Sequence, residues 1–266
     1  MPSSASNSVW RRVLSFMDKL TPALTFVAVI AVWEIACRVF RIPVFLLPAP
    51  SVIVNAAFDQ QAGIWLGNIW ATLRVAIAGY VVAIAVSIPL AVALVSYRFL
   101  SRTLYPALVV IQTTPIVAIA PIIVVTLGSS DLPRVVITFL ITFFPIVVST
   151  ATGLEATPPE LIELSRSLKA GRVREMLHIR LPYAVPYIFS SLKIATTLSV
   201  IGAVIAEFVA AERGLGFYIM FSTSLFEMPK AFAGLVVLVT LSMLFFCVPK
   251  AVQAWLFPWS LPKSNR

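Results

Sequence analysis

The side chains that most often do chemistry are sparse in this chain and do not cluster. His178 is the only histidine, and no cysteine or second histidine stands at ligand spacing from it. The sequence therefore predicts no metal site. It contains no grouping of acid, base and nucleophile and no GxxxxGK[ST] segment that could cradle a nucleotide phosphate. We predict no catalytic residue, no cofactor bound by this chain, and no ATP hydrolysis by this chain alone.

Two acidic residues stand inside long apolar runs. Glu207 follows an uninterrupted apolar stretch, and Glu34 lies within the first one. An unpaired charge is costly in hydrocarbon, so each should face protein or a water-filled cavity. Glu207 is thus a candidate substrate-path residue. The alternative is a structural ion pair or hydrogen bond, for example with Arg74 or Arg213, and this alternative is favoured for Glu34.

Hydroxyl and amide groups beside a proline are the other candidates for a polar path. Gln112, Thr113 and Thr114 precede Pro115, which could expose backbone carbonyls at a kink. Serine and threonine in membrane helices also serve helix packing, which remains the alternative for each of them. The predicted substrate-path residues are Gln112, Thr113, Thr114, Thr196, Ser199 and Glu207.

The composition predicts that these residues lie in a lipid bilayer. Hydrophobic residues make up 60% of the 266 residues and charged residues 12%, against roughly 45–50% and ~25% in soluble proteins. The apolar residues come in blocks long enough to cross a bilayer. The predicted spans are 22–40, 69–96, 104–127, 133–153, 184–209 and 231–254. We therefore predict an all-α, polytopic membrane helical bundle of about six transmembrane helices, with 1–266 forming one domain.

The net charge of +9 has a cause in topology, not in nucleic-acid binding. The basic residues lie between the apolar blocks, and no aromatic side chains are interleaved with them on a soluble face. Arg11, Arg12 and Lys19 precede a first apolar run without a cleavage site, which predicts a retained first span. With that tail inside, most lysines and arginines fall on the inner side, as the positive-inside rule requires. Both termini are then cytoplasmic.

The stretch 154–183 is the longest charged segment between spans and is predicted to begin with a helix. Thr157 can cap that helix, and Pro158 suits its first position. Glu160 stands where a capping box places a carboxylate.

An apolar stripe follows this helix start, and it needs something to pack against. Its members recur at helical spacing: Leu161, Leu164 and Leu168. Ala170 and Gly171 are predicted to break the helix, and a second helical stretch is predicted from near Arg172. The segment thus reads as helix, tight turn, helix on the cytoplasmic surface.

This segment resembles the signature of binding-protein-dependent ABC importer permeases, E-A-A-x3-G-x9-I-x-L-P. The matching residues are Glu163, Ile179, Leu181 and Pro182. Leu164 and Ser165 replace the two alanines. Lys169 occupies the glycine position and Gly171 lies two places later, which leaves open whether the turn is displaced.

The resemblance implies that the segment is a coupling helix that docks in a groove of a separate ATPase. The residues to which it gives this role are Glu160, Glu163, Ser165, Lys169, Ala170 and Gly171. The alternative is an amphipathic helix that rests on lipid headgroups.

Other motifs extend the resemblance over nearly the whole chain. LLPAPS at 46–51, QTTPIVAIAP at 112–121 and the segment 143–145 are similar to nitrate, sulfonate and taurine type permeases. The segments 192–207 and 213–216 resemble permeases for pyrimidine precursors of thiamine. The resemblance implies a multi-pass inner-membrane subunit. Its partners would be two copies of an ATPase subunit, which holds ATP and Mg, and an extracytoplasmic solute-binding protein.

Six spans supply half of the helices that alternating access usually needs, so we expect a homodimer. The alternative function is a stand-alone secondary transporter or channel. That alternative requires ion or proton relays inside the membrane, for which Glu34 and Glu207 are the candidate acids.

Overall fold

The apolar runs form α-helices in the computed structural model of the chain, which describes residues 21, 24–128 and 130–261. These ranges contain helices and turns and no β-strand. The helices are α1 (24–39), α2 (Pro50–Asp59), α3 (Ala62–Ser96), α4 (Arg98–Thr113), α5 (Ile116–Leu127), α6 (Asp131–Glu155), α7 (Pro159–Ser167), α8 (Arg172–Glu175), α9 (Leu181–Ala210), α10 (Leu215–Ser224) and α11 (Met228–Leu256). A π-helical turn, Met176–Arg180, joins α8 to α9.

The chain forms two compact units. One comprises the described residues up to Gln61 together with Phe221–Ala233, and the other comprises Ala62–Met220 and the residues from Gly234 onward. In the first unit, Glu34 on α1 receives hydrogen bonds from the backbone nitrogen (3.0 Å) and hydroxyl (2.8 Å) of Ser51 and pairs with Arg38 at 2.6 Å. The structural alternative for Glu34 is therefore the observed arrangement.

Within the described residues, four helical segments are long and apolar enough to cross a membrane: α3, α6, the continuous stretch Arg172–Ala210, and α11. The pair α4 and α5 makes five if it is counted as one span. The predicted span 22–40 falls on α1, and its first two residues, like the basic tail before it, lie outside the described part of the chain.

The predicted span 104–127 differs from the structure because it is broken. The axes of α4 and α5 are bent by 97°. Pro115 has no N–H and disfavours helical geometry in the residue before it. Thr114 is accordingly extended, with φ −73° and ψ 127°.

The core of the second unit is built from α3, α6 and α9, which approach closely through small residues. Thr138 on α6 lies between Gly79 on α3 and Gly202 on α9, where an added Cβ would overlap its atoms. Small residues at such positions let membrane helices pack closely. Polar contacts add to this packing: the Tyr80 hydroxyl donates to the Leu192 carbonyl at 3.2 Å and Ser87 to the Phe143 carbonyl at 3.0 Å.

Two glycines in long helices test this close packing. A Cβ at Gly202 would lie 2.8 Å from the Thr138 Cα, whereas a Cβ at Gly67 on α3 meets nothing within 4 Å. We expect Gly202→Ala to lower the free energy of unfolding by roughly 1–3 kcal/mol through overpacking. The matched Gly67→Ala should raise it by about 0.5–1 kcal/mol, because alanine favours the helix. Thermal unfolding in detergent measures both, and equal shifts for the two variants would contradict the packing account.

Candidate functional site

The segment after α6 presents its leucine stripe to the outside. Leu161, Leu164 and Leu168 are 41%, 56% and 74% exposed. Glu160 and Glu163 on the same helix are also exposed, whereas Ser165 is buried. α7 therefore packs inward through Ser165 and offers an apolar face with flanking carboxylates.

The start of α7 differs by one residue from the sequence prediction. Pro158 occupies the N-cap position, and no side chain caps the helix. The Thr157 hydroxyl instead donates to the Leu154 carbonyl at 3.1 Å, at the end of α6. Thr157 therefore ties the turn to the preceding helix, and its prediction as the cap was wrong.

The turn that ends α7 is centred on Lys169. Its φ of +55° is left-handed, whereas Gly171 is extended with φ −67°. The Lys169 nitrogen donates to the Arg166 carbonyl and the Ala170 nitrogen to the Ser165 carbonyl, at 2.9 and 3.0 Å. These two bonds form a Schellman motif, which usually places glycine at the left-handed residue. The turn thus keeps the register of the signature glycine and is not displaced to Gly171.

An ion-pair cluster fixes the second half of the segment. Arg180 Nε lies 2.9 Å from a Glu175 carboxylate oxygen, and Arg166 Nε lies 3.9 Å from the other oxygen. Arg180 also donates to the Leu154 carbonyl at 3.4 Å. Glu175 and Arg180 are five residues apart and meet through the π-helical turn. Ordinary α-helical spacing does not predict this pair, which explains why sequence reasoning missed it.

At the opposite end of the α3–α6–α9 core, Glu207 holds the loop that follows α9. Its side chain is fully buried, and Oε2 accepts a hydrogen bond of 2.7 Å from the Gly216 nitrogen. Gly214 has φ +132°, and a Cβ there would overlap the Glu207 carboxylate. A residue without a side chain is therefore required at Gly214 by both backbone conformation and space.

Two side chains of α3 hold the same loop. Asn68 Oδ1 accepts from the Gly214 nitrogen at 2.9 Å, and Thr72 Oγ1 accepts from the Leu215 nitrogen at 2.8 Å. Together with Glu207 they satisfy three successive backbone donors. We call Glu207, Asn68 and Thr72 the loop latch. Glu207 lies in the hydrogen-bonded arrangement that the sequence left as an alternative, with a backbone nitrogen as its partner.

A polar cavity of about 460 Å³ adjoins the loop latch. Arg74, Arg134 and Glu207 contribute to its wall. Asp131 pairs with Arg74 at 3.0 Å and with Arg134 at 2.8 Å. Arg74, one of the two arginines suggested as partners for Glu207, is thus engaged by Asp131, a residue that sequence reasoning did not select.

The six predicted path residues lie in three different places. Glu207 lines the cavity just described. Thr196 and Ser199 are buried in the core, where their hydroxyls donate to the Lys193 and Thr196 carbonyls of their own helix. Gln112, Thr113 and Thr114 lie at the α4–α5 break, where the two threonines bond to the Val110 carbonyl. The second and third groups do not line the cavity beside Glu207.

Comparison with known protein families identifies the family to which this chain's sequence is similar. Residues 83–260 match the model of the family described as binding-protein-dependent transport system inner membrane component. The chain belongs to this family. It is a multi-pass inner-membrane permease subunit of the ABC importer type, and a stand-alone secondary transporter is not favoured.

Curated relatives of this permease match it over most of their length. The formylaminopyrimidine transport permease protein ThiX of Halalkalibacterium halodurans is 34% identical over 240 residues, covering 90% of this chain and 96% of that protein. The riboflavin transport system permease protein RibX of Chloroflexus aurantiacus is 29% identical over 253 residues, covering 93% and 94%. The nitrate import permease protein NrtB of Synechococcus elongatus is 29% identical over 234 residues, covering 82% and 81%.

A solved structure shares the fold of this permease. A chain of the MetNI methionine ABC transporter, in an inward-facing conformation, superposes with a TM-score of 0.62 at 20% sequence identity. The match covers 73% of this chain and 97% of that one. The all-α membrane bundle predicted from the sequence is thereby confirmed.

The left-handed turn generates a prediction. Lys169→Gly should raise the free energy of unfolding by about 1 kcal/mol, because glycine adopts this conformation without steric strain. Lys169→Ala is the matched control, since it removes the charge but keeps the Cβ and should leave the strain unchanged. Thermal unfolding in detergent measures both. A stabilisation by alanine as large as that by glycine would show that charge, not backbone strain, is responsible.

The loop latch generates a second prediction, measured by the rate at which a thiol reagent labels an Ala211→Cys probe. Cys247 is exposed and is first replaced by serine, while Cys37 is buried and stays. Glu207→Ala should raise the labelling rate roughly 10-fold, because the Gly216 nitrogen loses its acceptor, at a cost of about 1–3 kcal/mol. Glu207→Gln keeps an acceptor oxygen and should change the rate much less. Equal labelling rates in the probe protein, its Glu207→Ala variant and its Glu207→Gln variant would mean that Glu207 does not hold the loop.

Proposed function

We propose that this permease forms the membrane half of an ATP-driven importer in which α7 receives motion from a separate ATPase. The observation that carries the proposal is the exposed leucine stripe on a helix whose two ends are both fixed. Three leucines in water would favour aggregation or membrane contact unless a partner covers them. The family to which the chain belongs supports an ATPase and a binding protein as partners in general.

The assembly contains two copies of this chain and two copies of the ATPase. Each chain supplies one α7, and ATP and Mg are held by the ATPase. In this proposal both termini and α7 are cytoplasmic, which the positive-inside bias of the sequence favours. The loop latch and its polar cavity then face the exterior, where the solute-binding protein delivers its ligand.

The chain's own contacts give a route for the motion. The Schellman motif at Lys169 and the Glu175–Arg180 pair join α7 to the start of α9 and to the end of α6. α9 runs unbroken for 30 residues, which is about 45 Å of helix, and ends at Glu207 and the loop latch. When ATP draws the ATPase subunits together, α7 is displaced. This displacement would move α9 as a rigid body and open or close the loop that the loop latch holds.

The solute is a small polar molecule, and we favour one with a pyrimidine ring. Two of the relatives are named for formylaminopyrimidine and riboflavin, both of which contain such a ring. Of these relatives, the formylaminopyrimidine permease has the higher sequence identity.

Co-purification of the ATPase tests α7 as the docking element. Leu164 on α7 and Leu132 at the start of α6 are both 56% exposed, so they make a matched pair. Leu164→Ser should reduce the ATPase recovered from detergent extracts by about 30-fold, if it removes an interface anchor worth about 2 kcal/mol. Leu132→Ser should leave recovery unchanged.

The ratio of ATPase to permease on a stained gel or by mass spectrometry is the measurement. Equal recovery with both variants would refute α7 as the docking surface. Loss of the ATPase with both would mean that the permease itself has been disrupted, which thermal unfolding of each variant distinguishes.

A further inference from the structure

A cavity of about 890 Å³ lies between the start of α4 and the α7–α8 segment. Its wall is strongly basic. Glu175 is the single acidic residue that lines it. Four arginines line it as well: Arg98, Arg166, Arg172 and Arg180. The formal charge of the lining is therefore positive, and the cavity is suited to an anion.

Two of these arginines are available to a ligand. Glu175 engages Arg180 closely and Arg166 more loosely. Within the described part of the chain, Arg98 and Arg172 form no ion pair. Unpaired guanidinium groups on two sides of one cavity are the arrangement that grips a phosphate through paired hydrogen bonds.

The backbone of α4 adds to the same field. α4 begins at Arg98, and its N-cap residue, Tyr97, makes no side-chain cap. The first backbone N–H groups of a helix have no partner inside it and carry a partial positive charge. Residues 97–99 line the cavity, so this helix start faces the same space as the arginines.

The cavity lies at the depth of lipid headgroups. No charged side chain occurs from 75 to 97 on α3, which is about 35 Å of helix and close to the thickness of the hydrocarbon layer. Arg98 follows that stretch directly. Tyr97 and Phe99 are 64% and 80% exposed, and aromatic side chains concentrate at this boundary.

We propose that this cavity binds the phosphate group of an anionic phospholipid. Basic pockets at the ends of membrane helices recognise such headgroups, and exposed aromatic residues beside the pocket provide contact for the acyl chains. The bound phosphate joins the start of α4 to the α7–α8 segment. Anionic lipid therefore steadies the segment that, in the proposed function, docks the ATPase, although binding itself does not depend on that function.

Native mass spectrometry of the purified full-length permease tests the proposal with phosphatidylglycerol and phosphatidylcholine as probes. The wild-type chain should retain phosphatidylglycerol in preference to phosphatidylcholine. The double variant Arg98→Gln, Arg172→Gln should bind phosphatidylglycerol roughly 30-fold more weakly. The matched control is Arg102→Gln, Arg174→Gln, which removes two arginines from the same segments but outside the cavity, and it should retain wild-type affinity.

Three outcomes overturn the proposal. Equal retention of the two lipids by the wild-type chain would remove the headgroup preference without reliance on any variant. Displacement of phosphatidylglycerol by millimolar inorganic phosphate, with phosphate alone raising the unfolding temperature as much as the lipid, would assign the site to a free anion. Unchanged lipid affinity in the cavity variant, together with loss of the co-purifying ATPase, would assign the arginines to the protein partner.

Discussion

Charged groups on α3 and α6 are confined to two levels, because the hydrocarbon layer between those levels cannot solvate them. The charge-free stretches 75–97 and 135–154 correspond to about 30–35 Å of helix. The ion pairs that border the core therefore collect at its two ends, whereas the contacts inside it are uncharged hydrogen bonds such as that of Ser87 with the Phe143 carbonyl. One end carries the Glu175–Arg180 pair and the basic cavity. The other end carries the loop latch and the Asp131 pairs. This separation gives the permease two distinct sites with a packed body between them.

The body is suited to carrying displacement from one site to the other. Thr138, held between Gly79 and Gly202, brings three helices into close contact, and closely packed interiors transmit strain with little compression. The hydroxyls of Thr196 and Ser199 donate hydrogen bonds within α9, so neither leaves an unsatisfied donor in the core. α9 is thus joined to the turn after α7 at one end and, through Glu207, to the loop that follows it at the other.

Much of this architecture could be predicted from the sequence, because bilayer thickness fixes helix length and the signature locates the segment that holds the turn, although it left the register of that turn open. The leucine stripe of α7 was predicted with its spacing, and the structure shows it exposed. The left-handed geometry of Lys169 could not be predicted, since lysine rarely adopts it and Gly171 offered an easier solution. The hydrogen-bond partner of Glu207 could not be predicted either, because it is the backbone nitrogen of Gly216 and residue type does not reveal which backbone nitrogen binds a side chain. The π-helical turn and the 97° bend at Pro115 change spacing and direction in ways that helical periodicity does not encode.

The most direct test of the account is uptake of a labelled pyrimidine compound, of the solute class proposed above, into vesicles that contain this permease, its ATPase and its binding protein. With the α7 side facing the ATP, uptake should require ATP hydrolysis and the binding protein, and it should persist when ion gradients are collapsed. Accumulation driven by an ion gradient in vesicles that contain this chain alone would contradict the account.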